Sequence, residues 1–210
     1  MAKTDFLAEL LDNTVRAKII RLFCATPAAC FTADEITQRS QIASAKTTEK
    51  ELKILQKLGL VRTTRCAREV KQKGASSGRK VQVPGWTGNP TNDYFKVLGV
   101  FVRDTEPAAE ESILGKLKGA GNIKLVVASG FFAAAENNPS RIDLLIVGDK
   151  LKERKIASAL RSIEAQHGRE ISYAAFSTQD FRYRLDIYDR LIRDVLDYPH
   201  HVLLDLLKVF

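Results

Sequence analysis

The chain has 210 residues, enough for one large domain or two small ones, and 33 Lys+Arg against 25 Asp+Glu give it a net charge of +8. Hydrophobic residues at 45% and charged residues at 28% sit near the globular average, which excludes an intrinsically disordered chain. No apolar run approaches the roughly 20 residues of a membrane span, and Met-Ala-Lys-Thr-Asp carries no secretory h-region, so a cytoplasmic location away from membranes is expected.

The charge is unevenly placed. Residues 1–84 hold 16 basic and 8 acidic side chains, so they own the whole excess, and residues 85–210 balance to zero. Cys24, Cys30 and Cys66 are odd in number and widely spaced, which predicts reduced thiols, no disulfide framework and no paired zinc arrangement.

In chain order, Val15, Ile19, Leu22 and Phe23 recur with the spacing of a core-facing helix that Pro27 ends. Thr32-Ala-Asp-Glu35 is a capping box, because the Thr hydroxyl can accept from the Glu amide while the Glu side chain reaches back. It opens a short helix to about Arg39, followed by the tight connector Ser40-Gln-Ile-Ala. Ser44 can cap a third helix reaching Leu58, with Leu52, Leu55 and Leu58 buried and Gly59 as the stop. Leu60 to Arg65 reads as a strand, a polar tip covers Lys71 to Lys80, and Val81 to Val83 reads as its partner. Helix, capped helix, helix and hairpin predict a winged helix-turn-helix over residues 1–84.

Residues 85–112 read as a connector with a short helix at Tyr94 to Val102, burying Phe95, Leu98 and Phe101 or Val102. Beyond it the period changes. Ile123 to Ala128 and Ile142 to Val147 are short apolar runs and hence buried strands; Ile156, Leu160 and Ile163 mark a helix that Gly168 stops. Ile171 to Phe176 is a third strand, and Ser177-Thr-Gln-Asp180 resembles a cap that opens helical stretches with Phe181, Leu185, Tyr188, Ile192 and Val195 inward. The expected class is α+β, with a small α/β domain at 113–210.

A helix-turn-helix reads DNA by laying its last helix in the major groove, with that helix's first residues at the base edges. Here those are Ser44, Lys46, Thr47 and Lys50, with Lys46, Thr47 and Lys50 turned away from Leu52 and Leu55. Hydroxyls can donate to or accept from any base, and Lys reaches guanine or phosphate. The wing tip offers Lys71, Lys73, Arg79 and Lys80 to phosphates. Six to eight such contacts predict a log affinity against log salt slope of about −5 to −7.

Thr32-Ala-Asp-Glu-Ile-Thr-Gln-Arg-Ser and Glu51-Leu-Lys-Ile-Leu-Gln-Lys-Leu-Gly-Leu-Val resemble the ArsR-type winged helix of prokaryotic transcriptional regulators, over about residues 10–84. The resemblance implies a double-stranded DNA partner and a homodimer, since one winged helix covers half of a two-fold site. Metal sensing does not carry over: Cys24 and Cys30 lie outside the reading helix and residues 1–84 contain no His.

Residues 123–205 resemble the minimal nucleotidyltransferase domain, through Val126-Val-Ala-Ser-Gly-Phe-Phe, Ser140-Arg-Ile-Asp-Leu-Leu-Ile-Val-Gly-Asp149, Gly168-Arg-Glu-Ile-Ser-Tyr and Thr178-Gln-Asp-Phe-Arg-Tyr-Arg. That family uses a Gly-Ser turn for phosphate, an Asp-x-Asp pair for two Mg²⁺ and a third carboxylate on a later strand. Two residues at i and i+2 share one sheet face, which lets both carboxylates grip the same ions. This chain inverts the turn to Ser129-Gly130, puts Arg141 where the first Asp belongs, keeps only Asp143, and offers no carboxylate within Ile171-Ser-Tyr-Ala-Ala.

A guanidinium neither ligates Mg²⁺ nor loses its proton, and it would pair with Asp143 instead. The domain is therefore expected to be inactive, with no metal and no cofactor, serving dimerisation or the sensing of a ligand or protein partner. Ser129, Gly130, Arg141 and Asp143 are its candidate anion or nucleotide site. The alternatives are an active nucleotidyltransferase modifying protein or RNA, and an antitoxin-like protein-interaction module. His200 and His201 alternate faces on a strand, which suits packing better than a metal.

Overall fold

The computed structural model describes residues 5–70, 79–105, 109–133 and 142–210. The chain is mixed α+β and divides into two compact units, one of residues 3–107 with Glu164–Arg169, the other of Ala108–Ile163 with Glu170–Phe210.

The first unit runs α1 (Phe6–Leu10), α2 (Thr14–Ala25), α3 (Ala33–Arg39), α4 (Ala45–Lys57), β1 (Val61–Val70), β2 (Arg79–Gly88) and α5 (Asp93–Asp104). Each of the first three helices starts on a side-chain cap: the Asp5, Asn13 and Thr32 oxygens accept from the amides of Ala8, Arg16 and Glu35. The capping box expected at Thr32 is complete, with the Glu35 carboxylate accepting from the Thr32 amide at 2.8 Å. Leu7, Ile19, Phe23, Ile36, Leu52, Leu55, Val61 and Val102 form one buried core.

β1 and β2 pair antiparallel from Val61↔Gly88 to Val70↔Arg79, so the hairpin is longer on both strands than the apolar residues predicted. Cross-strand pairing carries polar residues such as Arg62, Thr63 and Thr64 into a regular ladder that alternation of apolar residues does not mark. The expected domain end at 84 falls inside β2. The expected connector at 85–112 is instead the end of β2, then α5, whose Phe95 and Val102 are buried in the first unit, then α6 of the second. Leu58, expected inside, is the exposed C-cap of α4 (58% accessible), because the inward side of that helix is Thr48, Glu51, Leu52 and Leu55.

The cysteines overturn the expectation of reduced thiols. Cys30, in the loop before α3, and Cys66, midway along β1, form a disulfide with Cα atoms 5.5 Å apart. Their separation of 36 positions in sequence conceals an adjacency that only the return of β1 past the α2–α3 loop creates. Phe31 beside it exchanges two backbone hydrogen bonds with Trp86, at 2.9 and 2.7 Å. Cys24 stays a free thiol, and burial pushes it up to about 11.

The second unit runs α6 (Ala109–Leu117), β3 (Asn122–Ala128), a 3₁₀ turn (Gly130–Ala133), β4 (Leu144–Asp149), α7 (Glu153–His167), β5 (Tyr173–Phe176), α8 (Thr178–Asp186), α9 (Arg190–Leu196) and β6 (His201–Asp205). The strand order is β5-β4-β3-β6; β4 runs parallel to β5, and β3 antiparallel to both its neighbours. Alternate residues of β3 and β4 face opposite cores. Val126, Ala128, Leu144 and Ile146 pack with Ile113, Leu117, Ile156 and Leu160, while Leu125, Val127, Leu145 and Val147 pack with Phe181, Ile192 and Val195. Cover on both faces is why these strands read as unbroken apolar runs.

Two expectations fail here for local reasons. Tyr188 takes a left-handed backbone (φ 55°) and is 72% exposed, so the inward stripe breaks into α8 and α9. Asp189 restarts the chain as the N-cap of α9, accepting from Leu191 and Ile192. Of the fourth strand, β6, the sequence suggests only an extended His200-His201 pair, of which His201 opens the strand, because Val202-Leu-Leu-Asp lies along the sheet edge with none of its residues fully buried.

Candidate nucleic-acid interface

α4 presents two opposed faces. Thr48, Glu51, Leu52 and Leu55 are buried, and Lys46, Lys50, Lys53 and Lys57 are exposed at i, i+4, i+7 and i+11. That spacing aligns four ammonium groups along one line of the helix, opposite the core. Ser44, Lys46, Thr47, Glu49, Lys50 and Lys53 line one open pocket at the start of the helix. Ser44 occupies the N-cap position, yet its hydroxyl makes no cap hydrogen bond, unlike those of Thr32 and Ser177. Lys53 and Lys57, not among the residues expected at the base edges, continue the period of Lys46 and Lys50 in the sequence.

Three polar ties hold this face in place. The Thr37 and Thr48 hydroxyls lie 2.8 Å apart between α3 and α4. Glu51, only 4% exposed, accepts from Asn13 Nδ2 at 3.0 Å and from Arg16 Nε at 2.8 Å, fixing α4 to the start of α2. Nothing in the sequence spacing pointed to Glu51, since a lone acid on an apolar helix face announces no partner. A third tie reaches the hairpin. Arg68 on β1 donates from Nε to Glu35 Oε1 at 2.6 Å and from Nη2 to the Cys30 carbonyl at 2.7 Å. The hydrogen bonds from Arg68, outweighing desolvation, hold the Glu35 carboxyl below its usual range.

Arg79 and Lys80 stand exposed at the start of β2, with Arg62 and Arg65 exposed along β1. Lys71 and Lys73 lie outside the described residues. Among the described residues, the outer line of α4 and these hairpin cations make two groups of exposed positive charge in the first unit, with Arg39, Lys96, Arg103 and Arg169 exposed elsewhere on it.

The turn after β3 brings Ser129, Gly130 and Asp143 together, while Arg141 lies outside the described residues. The three serve one another and the backbone. Asp143 Oδ1 accepts from the Phe131 amide at 2.9 Å, and Oδ2 accepts from the Ser172 amide and hydroxyl at 2.9 and 2.7 Å. The fully buried Ser129 hydroxyl donates to the Ile142 carbonyl at 2.7 Å. Gly130 adopts φ 53°, and a Cβ there would stand 2.5 Å from Asp143 Oδ1.

The Asp143 carboxylate therefore staples the 3₁₀ turn to β4 and to the start of β5. A hard dication needs several oxygens, and both oxygens of this carboxylate already accept from amide or hydroxyl donors. Among the described residues, no group of three or more His, Cys, Asp or Glu could hold a metal ion. His200 Nδ1 lies 2.8 Å from the Tyr198 carbonyl and its ring packs on Phe210, whereas His201 is exposed on β6.

No helix among the described residues is long and apolar enough to cross a membrane. No protein-family description, curated protein or solved structure matches the chain.

Proposed function

We propose that the protein is a cytoplasmic DNA-binding regulator whose first unit acts as a winged helix-turn-helix. α4 lies in the major groove, the β1–β2 hairpin rests on the backbone as the wing, and a second unit with a nucleotidyltransferase-like frame performs no nucleotidyl transfer. The observation that carries this reading is the outer face of α4. Four exposed lysines in one line, with Ser44 and Thr47 at the helix start, combine phosphate attraction with groups able to meet base edges. Glu51 and the Thr37–Thr48 contact give that face a fixed seat, which a groove-reading helix requires.

The engagement of both Asp143 oxygens by the Phe131 amide and by Ser172 supports the non-catalytic role of the second unit. The first unit itself offers a surface for the homodimer that a two-fold operator calls for. Phe6 and Leu10 of α1 and Tyr94, Val97 and Phe101 of α5 are all exposed, and the Phe6 and Phe101 rings meet edge to face at 6.3 Å.

Fluorescence anisotropy against a random-sequence duplex pool at several salt concentrations tests the reading. The expected slope is about −5 to −7, and removing Lys46, Lys50 and Lys53 together makes it shallower by about 2.7. A chain that forms no salt-sensitive complex with DNA is not this regulator.

A further inference from the structure

The Cys30–Cys66 bond has no part in the reading above. It joins the loop before α3 to the middle of β1, so it encloses α3, α4 and the first half of β1. Its two ends differ. Cys30 is half-buried just ahead of the Thr32 capping box, and Cys66 is 1% exposed opposite Val83. The surroundings are fitted to it. A Cβ at Gly85 would stand 2.2 Å from Cys66 Sγ and 2.8 Å from the Phe31 carbonyl, so only glycine on β2 leaves the sulfur room.

The hairpin puts few side chains into the core; among the described residues, Val61 is its one fully buried apolar member besides Cys66. Its ties to the helices include the disulfide, the Phe31–Trp86 bridge, the Arg68 bonds to Glu35 and the Cys30 carbonyl, the Thr87 hydroxyl's bond to the Pro27 carbonyl and the packing of Trp86 on the core. One of these ties is covalent and can be opened chemically. Cys24, the remaining thiol, is too poorly ionised to compete.

We propose that Cys30 and Cys66 are a redox-responsive pair, oxidised by a hydroperoxide, that fixes the hairpin to α3 when bonded and loosens it when reduced. DNA affinity is the output, a clause that rests on the function proposed above. The Cys30 thiolate attacks the terminal oxygen of the hydroperoxide, the O–O bond breaks, and an alcohol (water, from hydrogen peroxide) leaves as Cys30 becomes a sulfenic acid. The Cys66 sulfur then attacks the Cys30 sulfur, the S–O bond breaks and water leaves. Two thiols have lost two electrons and two protons, and the hydroperoxide has gained them. A dithiol reverses the change by attack at the more accessible Cys30.

The test uses the full chain, reduced with dithiothreitol and then titrated with hydrogen peroxide. Alkylation should count three free thiols falling to one, with Cys30 and Cys66 recovered in one linked peptide and Cys24→Ser leaving the response intact. On reduction, amide exchange should quicken around Phe31, Cys66 and Gly85, and duplex affinity should weaken about five-fold or more. Cys30→Ser should match the reduced protein and ignore peroxide; should it fail to fold, the wild-type oxidised and reduced forms carry the comparison. Persistence of all three thiols in peroxide, a bond that dithiothreitol cannot open in the folded chain, or identical exchange in both forms overturns the proposal. Equal DNA affinity of the two forms overturns its output. If exchange responds but neither form binds DNA, the regulator reading has failed and the redox coupling of the hairpin stands.

Discussion

The two units solve the problem of holding secondary structure together by different means. In the second, β3 and β4 are covered on both faces, and apolar side chains from four helices fill two cores around them. Its Arg–Asp pairs run mostly along or next to the helices, as at Arg184–Asp180 and Arg193–Asp197, where exposure keeps each one weak. The first unit has a single core and a hairpin that mostly faces water. Its elements are joined by ties between distant parts of the chain: Arg21 to Asp5, Arg16 to Glu51, Arg68 to Glu35 and Cys30 to Cys66. A unit that keeps its exposed surface basic and polar has fewer apolar positions left for packing, and specific polar links take over the placing of its elements.

The contrast is broken most directly in the apolar unit. Phe181 is fully buried, so Phe181→Ala should lower the stability measured by urea unfolding by about 3–5 kcal/mol, through lost transfer energy and the cavity left behind. In the first unit the counterpart is Asp5→Ala. The Arg21 guanidinium is entirely buried and donates twice to Asp5 at 2.6 Å, so the change strands a cation and should cost about 3 kcal/mol. Replacing both, as Asp5→Leu with Arg21→Met, should recover most of that loss. If the double variant is no better than the single, the pair is more than a mutual compensation of charge.

Acid titration sharpens the same contrast. Burial alone would raise the Asp5 carboxyl, but its hydrogen bonds to Arg21 and Ala8 and the Arg21 charge together hold it below its usual value. Glu35 is lowered mainly by its hydrogen bonds from Arg68. Both carboxyls ionise more readily folded than unfolded, so their contribution is present at neutral pH. It is lost as pH falls below 4.5 and on through the lowered folded values. A thermal melt series should show Glu35→Gln flattening this acid limb, whereas a limb unchanged by both Glu35→Gln and Asp5→Asn would place the acid sensitivity elsewhere.

Smaller effects probe the two surfaces. Asp143→Asn should cost about 1–2 kcal/mol, because one of its acceptor oxygens becomes a donor facing amide and hydroxyl donors. The same protein, wild type or variant, should take up no label from radiolabelled ATP with Mg²⁺; labelling that depends on Asp143 would restore the catalytic alternative. Lys53→Ala should change stability by less than about 0.5 kcal/mol, and the salt slope of DNA binding should become shallower by about 0.9.

What was legible followed from interactions within a few residues of one another. The Thr32–Glu35 box, the Ser177 cap and the apolar runs of β3 and β4 are each written in a handful of neighbouring positions. The lysine line on α4 belongs to the same class, and following its period two turns further would have added Lys53 and Lys57. The break at Tyr188 did not show, because the apolar spacing runs on across it. Beyond His201, β6 stayed hidden because an edge strand with half-exposed residues carries no strong pattern.

By itself the sequence determined the α+β class, the confinement of the net positive charge to residues 1–84, and Arg141 rather than a carboxylate two residues before Asp143, since composition and local spacing carry these. Tertiary structure alone decided that Cys30 meets Cys66, that Glu51 finds Asn13 and Arg16, and that Asp143 spends both oxygens on Phe131 and Ser172. The physical reason is the same in all three cases. A thiol or carboxylate has many chemically equivalent partners along a chain, and only the folded backbone selects which of them comes within bonding distance.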